Sequence, residues 1–329
     1  MNRLPLVARI ALLCGLGLGA VPLATLAAET GFPSRPITLV IPFPPGGATD
    51  VNGRVLAQRL GKELGQPVVI ENRAGAGTVI GASYVSKAVP DGYTLLVSSG
   101  TTFTVNPAIR ASLPYDPVKG FDPIGIAGRT GLVLLANSDV PVQTVKQFVD
   151  YVKASPGKYS YGSFGTGTTA QFAGESLLHA AGLKMTHVPY KGSAPAMTDL
   201  MGGQIPFSID TVSAAIPQLR SGKIRAIALT TAKRSALLPN VPTLAESGYT
   251  DIDMDTWLML AGPKGLPADV KAKLEKALAT TVADPDTRAR LLAQGLEPAY
   301  SNAAAASELI ARELPVMRAV AARANITAD

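Results

Sequence analysis

The sequence predicts an α/β protein made of two domains. Short β-branched apolar stretches alternate with amphipathic helical patterns along most of the chain. A strand–glycine loop–helix theme opens the chain and returns near Tyr159. Beyond Pro267 only helical patterns follow, and helices without strands of their own must cover a sheet built earlier.

Taken in order, the chain starts with an export signal. Arg3 and Arg9 make a basic start, Ile10 to Leu26 is apolar, and small residues offer cleavage at or one residue before Ala28. Residues 1–28 are therefore excluded from the fold. Leu13 stands before Cys14 where a lipoprotein signal needs a small residue, so no lipid anchor is expected. Ile37 to Ile41 reads as a buried strand, and Val51, Val55, Leu56, Leu60 and Leu64 recur at helical spacing. Between them lies Pro42-Phe-Pro-Pro-Gly-Gly-Ala-Thr-Asp50. Gly46 and Gly47 let the backbone approach a ligand, and Thr49 or Asp50 is placed to cap the helix. Val68 to Glu71 is a second strand, Asn72 to Gly77 a loop, and Thr78 to Ala88 a helix with Val79, Ile80 and Val85 inward. Tyr93 to Val97 is a third strand, ending in the hydroxyl run Ser98-Ser-Gly-Thr-Thr102.

Leu113 to Pro123 reads as connection and Leu132 to Ala136 as a central strand. Thr144 and Gln147 have capping-box spacing, as do Thr168 and Gln171. Tyr159 to Ser163 is a strand, Phe164-Gly-Thr-Gly-Thr168 a loop, and Gln171 to Ala181 a helix. Thr186 to Val188, Pro206 to Ile209 and Ile224 to Thr230 are further strands, with a helix ending at Arg220. Trp257 to Ala261 is a strand. Helices cover Val270 to Val282, Asp286 to Gln294 and Ala303 to Ala324, the last broken or kinked near Pro315. Residues 29–128 and 253–329 form one discontinuous lobe and residues 129–252 the other. The sheets are expected to be parallel, with ligands outside the carboxyl ends of the strands.

Composition narrows the function. The net charge of +6 falls to about +4 without the signal, and no basic stripe interleaved with aromatics suggests nucleic acid. The single cysteine lies in the signal, so the mature chain has no disulfide or thiolate metal site. No second stretch is long and apolar enough to span a bilayer. There is no Gly-x-Ser-x-Gly elbow or P-loop, and the only histidines, His179 and His187, make no metal spacing. Gly75-x-Gly77-x-x-x-Gly81 imitates a dinucleotide fingerprint, but the next strand ends in Ser98 and Ser99, with no acid for a ribose. No cofactor and no metal are expected.

What remains is a set of uncharged donor loops. These are Pro45, Gly46, Gly47, Ala48 and Thr49; Gly75, Ala76, Gly77 and Thr78; Ser98, Ser99 and Thr101; and Ser163, Phe164, Gly165, Thr166, Gly167 and Thr168. Backbone N–H groups and hydroxyls can hold a buried carboxylate without a formal cation. Arg54 and Arg73 read as solvated, while Lys191 is near enough in sequence to matter. Asp210 either caps the following helix or accepts from the ligand. Phe43 and Trp257 are either cavity wall or core. An exported hydrolase is the alternative; it would need a base beside a nucleophile, and His187 with Ser193 or Thr211 is the one available set.

Seven stretches together carry a resemblance. They are Arg35-Pro-Ile-Thr-Leu-Val, Pro44-Pro-Gly-Gly-Ala-Thr-Asp50, Glu71-Asn-Arg-Ala-Gly-Ala-Gly77, Pro90-Asp-Gly-Tyr-Thr-Leu95, Tyr161-Gly-Ser-Phe-Gly-Thr-Gly167, Val188-Pro-Tyr-Lys-Gly192 and Leu238-Pro-Asn-Val-Pro-Thr243. In this order the chain resembles the Bug-type solute-binding receptors of tripartite tricarboxylate transporters. The resemblance implies a type II periplasmic binding-protein fold, with two α/β lobes joined by crossover strands around a ligand cleft. It implies a periplasmic receptor, not an enzyme, that holds a small carboxylate (a di- or tricarboxylate, an acidic amino acid or an aromatic acid) for transporter membrane subunits or for sensing; the chain is expected to be a monomer. Pro45 to Thr49 and Gly75 to Thr78 would grip the carboxylate, and Ser163 to Thr168 and Asp210 would face it from the second lobe.

Overall fold

The computed structural model describes residues 31–327. The expected export signal, with Arg3, Arg9, Cys14 and the cleavage point near Ala28, lies outside the described residues. In chain order the elements are β1 (Ile37–Ile41), α1 (Ala48–Leu64), β2 (Val68–Asn72), α2 (Val79–Ser86), β3 (Thr94–Ser98) and α3 (Asn106–Ile109). There follow β4 (Phe121–Asn137), α4 (Val145–Lys153), β5 (Ser160–Ser163), α5 (Thr169–Ala181), β6 (Thr186–Pro189), α6 (Ser193–Met201) and β7 (Phe207–Thr211). The remainder is α7 (Val212–Leu219), β8 (Ile224–Leu229), β9 (Asp255–Pro263), α8 (Ala268–Ala283), α9 (Pro285–Ala293), β10 (Glu297–Asn302) and α10 (Ala303–Arg323).

The strands form one path, β2-β1-β3-β9-β4-β7-β5-β6, with β8 and β10 also pairing β4. The sheet is mixed, not parallel throughout as the alternating pattern suggests. β1 runs parallel to β2 and β3, and β5 to β6 and β7. β4 is antiparallel to all four of its partners. The reason lies in β4 itself, a 17-residue strand. From Phe121 to Gly131 it pairs with β9, and from Leu132 onward it pairs with β7 and β8. One strand thus serves the half built on β1–β3 and the half built on β5–β8.

The first part of β4 reads as connection because Pro123, Gly125, Gly128 and Gly131 interrupt its pattern. Those glycines have a packing role. A Cβ on Gly128 would stand 2.6 Å from the Glu297 carbonyl, and one on Gly125 would stand 2.7 Å from that of Ser301. They let β10 lie against β4. β10 itself (Glu-Pro-Ala-Tyr-Ser-Asn) escapes a pattern search because it is short and polar. The helix α6 and the irregular turn Thr101–Val105 are likewise unforeseen.

In α2 the inward face is Gly81, Ala82 and Val85, while Ile80 is 54% exposed, against expectation. Helix α2 lies so close to the preceding loop that a Cβ on Gly81 would stand 2.8 Å from the Arg73 carbonyl, leaving room only for small residues. The closing helices do cover the first half. Val270, Leu274 and Leu278 of α8 pack with Leu39, Leu56 and Leu260. Ala306 and Ile310 of α10 pack with Phe103 and Trp257, and its end reaches the core beside α5 through Val320. α10 continues through Pro315 without a break.

Gly128→Val should force β10 off β4, because overpacking a closed strand pair costs about 1–3 kcal/mol. Urea denaturation is expected to show a lowered midpoint, and an unchanged midpoint would contradict the close pairing.

Candidate ligand-binding cavity

The loop after β1 is held by one carboxylate. Asp50, 3% exposed, accepts from the Gly46 N–H at 2.9 Å, from Arg54 Nε at 3.0 Å and Nη2 at 2.9 Å, and from Asn72 Nδ2 at 2.9 Å. Asn72 Nδ2 also donates to the Phe43 carbonyl at 3.0 Å. Burial alone would raise the Asp50 pKa, but these hydrogen bonds and the Arg54 charge outweigh it and hold it below the usual carboxylate range. Arg54 is therefore tied to the loop rather than simply solvated.

The expected helix cap is absent. The residue before α1 is Gly47, and no side chain caps the helix. Thr49 and Asp50 lie inside its first turn. The first N–H groups of a helix have no partner within it, so an uncapped start offers them to a ligand.

That start opens into a cavity between the two halves. From the first half Phe43, Pro45, Gly47, Ala48 and Thr49 line it, with Asn52 and Ser99 beside them. From the other come Phe164, Thr211 and the run Lys191–Pro195, and from the shared strands Thr130, Thr256 and Trp257. It is narrow, with about 40 Å³ of room for the centre of a water molecule. Phe43 and Phe164 meet edge-to-face at 6.4 Å. Gly192 (φ +109°) begins α6 against Pro44, so a second helix start reaches the same space. No acidic residue lines the cavity, and Lys191 is its one cation. Uncapped helix starts with a lone cation suit an anion.

The remaining expected residues lie outside this lining. Gly46 serves the Asp50 clamp. Gly75 and Ala76 shape the turn before α2, and Gly77 packs against the other half, where a Cβ would stand 2.8 Å from the Thr166 carbonyl. Thr78 Oγ1 accepts from Thr102 Oγ1 at 2.8 Å, and Thr102 pairs with Ser98 Oγ at 2.6 Å. Thr101 Oγ1 is buried without a partner. Gly165 and Thr166 bend a loop in which the Ser163 and Thr168 hydroxyls both donate to the Gly165 carbonyl, while Thr166 is exposed. Thr168 Oγ1 donates to the Gly165 carbonyl at 2.7 Å, and the Gly167 N–H donates to Gln171 Oε1 at 2.7 Å. The expected Thr168 side-chain cap is accordingly absent. A hydroxyl beside free backbone groups binds them first, which a count of hydroxyls in sequence cannot show.

Asp210, 0% exposed, does not cap α7; Thr211 does, accepting from the Ala214 N–H at 3.1 Å. Asp210 Oδ1 accepts from Ser193 Oγ at 2.8 Å and from the Thr211 N–H at 2.7 Å, while Oδ2 has no partner. Burial pushes its pKa up to about 7 against those hydrogen bonds. His187 meets neither Ser193 nor Thr211 through a hydrogen bond. Its Nε2 lies 2.7 Å from Ser163 Oγ, its ring stacks on Tyr161, and Ser163 is fully buried. The nucleophile–base set that a hydrolase would need is thus not assembled at the cavity. Among the described residues no His, Cys, Asp or Glu group could hold a metal ion. Asn52, Thr130, Ser193, Thr211 and Thr256 line the cavity without having been singled out as ligand contacts. Asn52 carried a signal, as a polar residue one turn into an otherwise apolar helix face.

Burial pushes the His187 pKa down to about 4. In the unfolded chain it titrates near 6.5, so its contribution to stability is complete above that value and is lost as pH falls towards 4. The stability difference between the wild type and His187→Gln should therefore shrink on acidification from pH 7 to 4, by up to about 3 kcal/mol. Denaturant titrations at several pH values would measure it, and a pH-independent difference would contradict a neutral buried imidazole.

Known proteins share this architecture. The family model for the tripartite tricarboxylate transporter family receptor matches residues 53–326. The structure of the periplasmic binding protein BugD superposes with a TM-score of 0.86 at 35% identity, covering 90% of this chain and 99% of that one. Rpa4515 of R. palustris, solved with adipate, gives 0.87 at 33% identity over 90% and 99% of the two chains. MatC from Rhodopseudomonas palustris, solved with bound malate, gives 0.83 at 31% identity over 88% and 99%. With a match that runs from within α1 to just past α10, over a periplasmic binding-protein fold, the chain belongs to the tripartite tricarboxylate transporter receptor family.

Proposed function

We propose that this chain is an exported periplasmic receptor that captures a small dicarboxylate in the cavity and presents it to transporter membrane subunits. The observation that carries the reading is the uncapped start of α1 facing a cavity with no acid and one lysine. One ligand carboxylate sits at Gly47–Thr49, where the first helical N–H groups and the dipole favour it. Phe43 and Phe164 close over the carbon chain. Relatives solved with adipate and with malate support the class of ligand. Residues 29–128 and 253–329 form one lobe and 129–252 the other, bending around Gly128–Gly131 of β4 and around Thr250–Thr256, the segment that leads into β9. The protein acts as a monomer and turns nothing over, in keeping with a cavity that has no assembled base and nucleophile.

Calorimetry against a series of dicarboxylates and their diamides tests the ligand. Micromolar binding, about −8 kcal/mol, is expected for an acid and none for its diamide. Equal binding of the two would overturn the reading. Small-angle scattering tests the motion: the radius of gyration should fall when the bound acid is added to ligand-free protein. An unchanged radius at saturation would mean fixed lobes.

A further inference from the structure

The hydrogen-bond polarity of one cavity wall narrows the ligand further. Asn52 lines the cavity, and both of its N–H bonds are spent on the protein. One goes to the Ala48 carbonyl at 2.9 Å and the other to Ser213 Oγ at 2.8 Å. The direction of this chain is fixed from its far end. Ser213 Oγ donates to the carbonyl of Gln294, which can only accept, so Ser213 must receive the Asn52 N–H. Asn52 Oδ1 is left buried and without a partner. What Asn52 still offers is an acceptor.

Ser193, also in the lining, is set the same way. Its O–H donates to Asp210 Oδ1, an atom that the Thr211 N–H also marks as an acceptor. Ser193 therefore has only lone pairs left. Asn52 belongs to the first half and Ser193 to the second; Asn52 Oδ1 has no partner, Ser193 Oγ already has one, and what either can add is acceptance from a donor on the ligand.

We infer that Asn52 and Ser193 select a dicarboxylate that also carries a hydroxyl group, over one with a plain carbon chain. The inference rests on the dicarboxylate reading above. An ammonium group is a donor too, but Lys191 in the same lining carries like charge and disfavours it.

Competition calorimetry on the full mature protein decides this with matched probes. Malate is compared with succinate and 2-methoxysuccinate, and 2-hydroxyadipate with adipate. The methyl ether keeps the oxygen and removes the donor. At whichever chain length binds, the hydroxy acid should bind at least tenfold more tightly than the plain acid, and at the shorter length more tightly than the ether. Asn52→Leu should bring the ratio of hydroxy to plain acid below about threefold. If that variant does not fold, Ser193→Ala should lower the same ratio. Equal affinity of hydroxy and plain acids would overturn the inference and leave the dicarboxylate reading standing. Tighter binding of aspartate than malate would overturn the choice of hydroxyl. If no dicarboxylate binds at all, both readings fall together.

Discussion

A single strand has to belong to two sheets, and the rest of the structure is arranged around that constraint. β4 pairs with β9 and β10 before Gly131, and with β7 and β8 after it. A strand buried on both faces and bonded on both edges must satisfy every N–H and C=O along its length. It does so by taking antiparallel partners from distant parts of the chain. The return of β9 is what lets the closing helices pack on the first half after the second has been completed. The cavity lies where this strand pair passes between the halves, and Thr130, Thr256 and Trp257 of β4 and β9 form part of its wall.

The chemistry of the cavity follows from which polar groups are already occupied. Asp50 uses its carboxylate to hold the loop after β1, and the N-cap of α1 is Gly47, which has no side chain to cap it. Ser98, Thr102 and Thr78 bond one another, and Thr168 bonds its own loop. Neither hydroxyl group set lines the cavity. A glycine at this N-cap costs the fold only about a few tenths of a kcal/mol relative to a side-chain cap, and it leaves the first N–H groups of α1 open to the cavity.

Much of the fold is legible in the sequence because its parallel strands are short and β-branched. Ile37–Ile41 is recovered residue for residue, and helix α8 within two residues at either end. The failures have physical causes. Glycines that admit β10 erase the pattern of β4, and β10 is too polar to announce itself. The loop Phe43–Thr49 is legible as a cavity element because strand, glycines and helix follow one another locally. Asn52 leaves a local trace as a polar residue on α1, whereas Ser193 and Thr211 leave none, since they reach the cavity only through the pairing of β4 with segments distant in the chain. Nor can sequence tell a hydroxyl that faces a ligand from one that bonds its own backbone.

The wall of the cavity is tied to the strand crossing by charge. Trp257 lines the cavity, and its Nε1 donates to both carboxylate oxygens of Glu313 on α10, at 3.2 and 3.0 Å. Glu313 lies 3.7 Å from Arg129, which donates to both oxygens of Asp255 at 2.6 and 2.7 Å. Arg129 and Asp255 sit on β4 and β9 where those strands pass from one half towards the other. Burial raises the Glu313 pKa while Arg129 and the indole N–H lower it, so the side chain is held between opposing demands. A half-buried ion pair of this kind adds little net stability, because desolvation consumes most of the Coulomb gain. What it does is fix geometry. The bidentate pair prevents β4 and β9 from sliding in register, and the indole cannot turn without breaking its bonds to Glu313. Trp257 therefore stays in place as a wall of the cavity wherever the two strands go, and strand pairing and wall position are set by the same few charges.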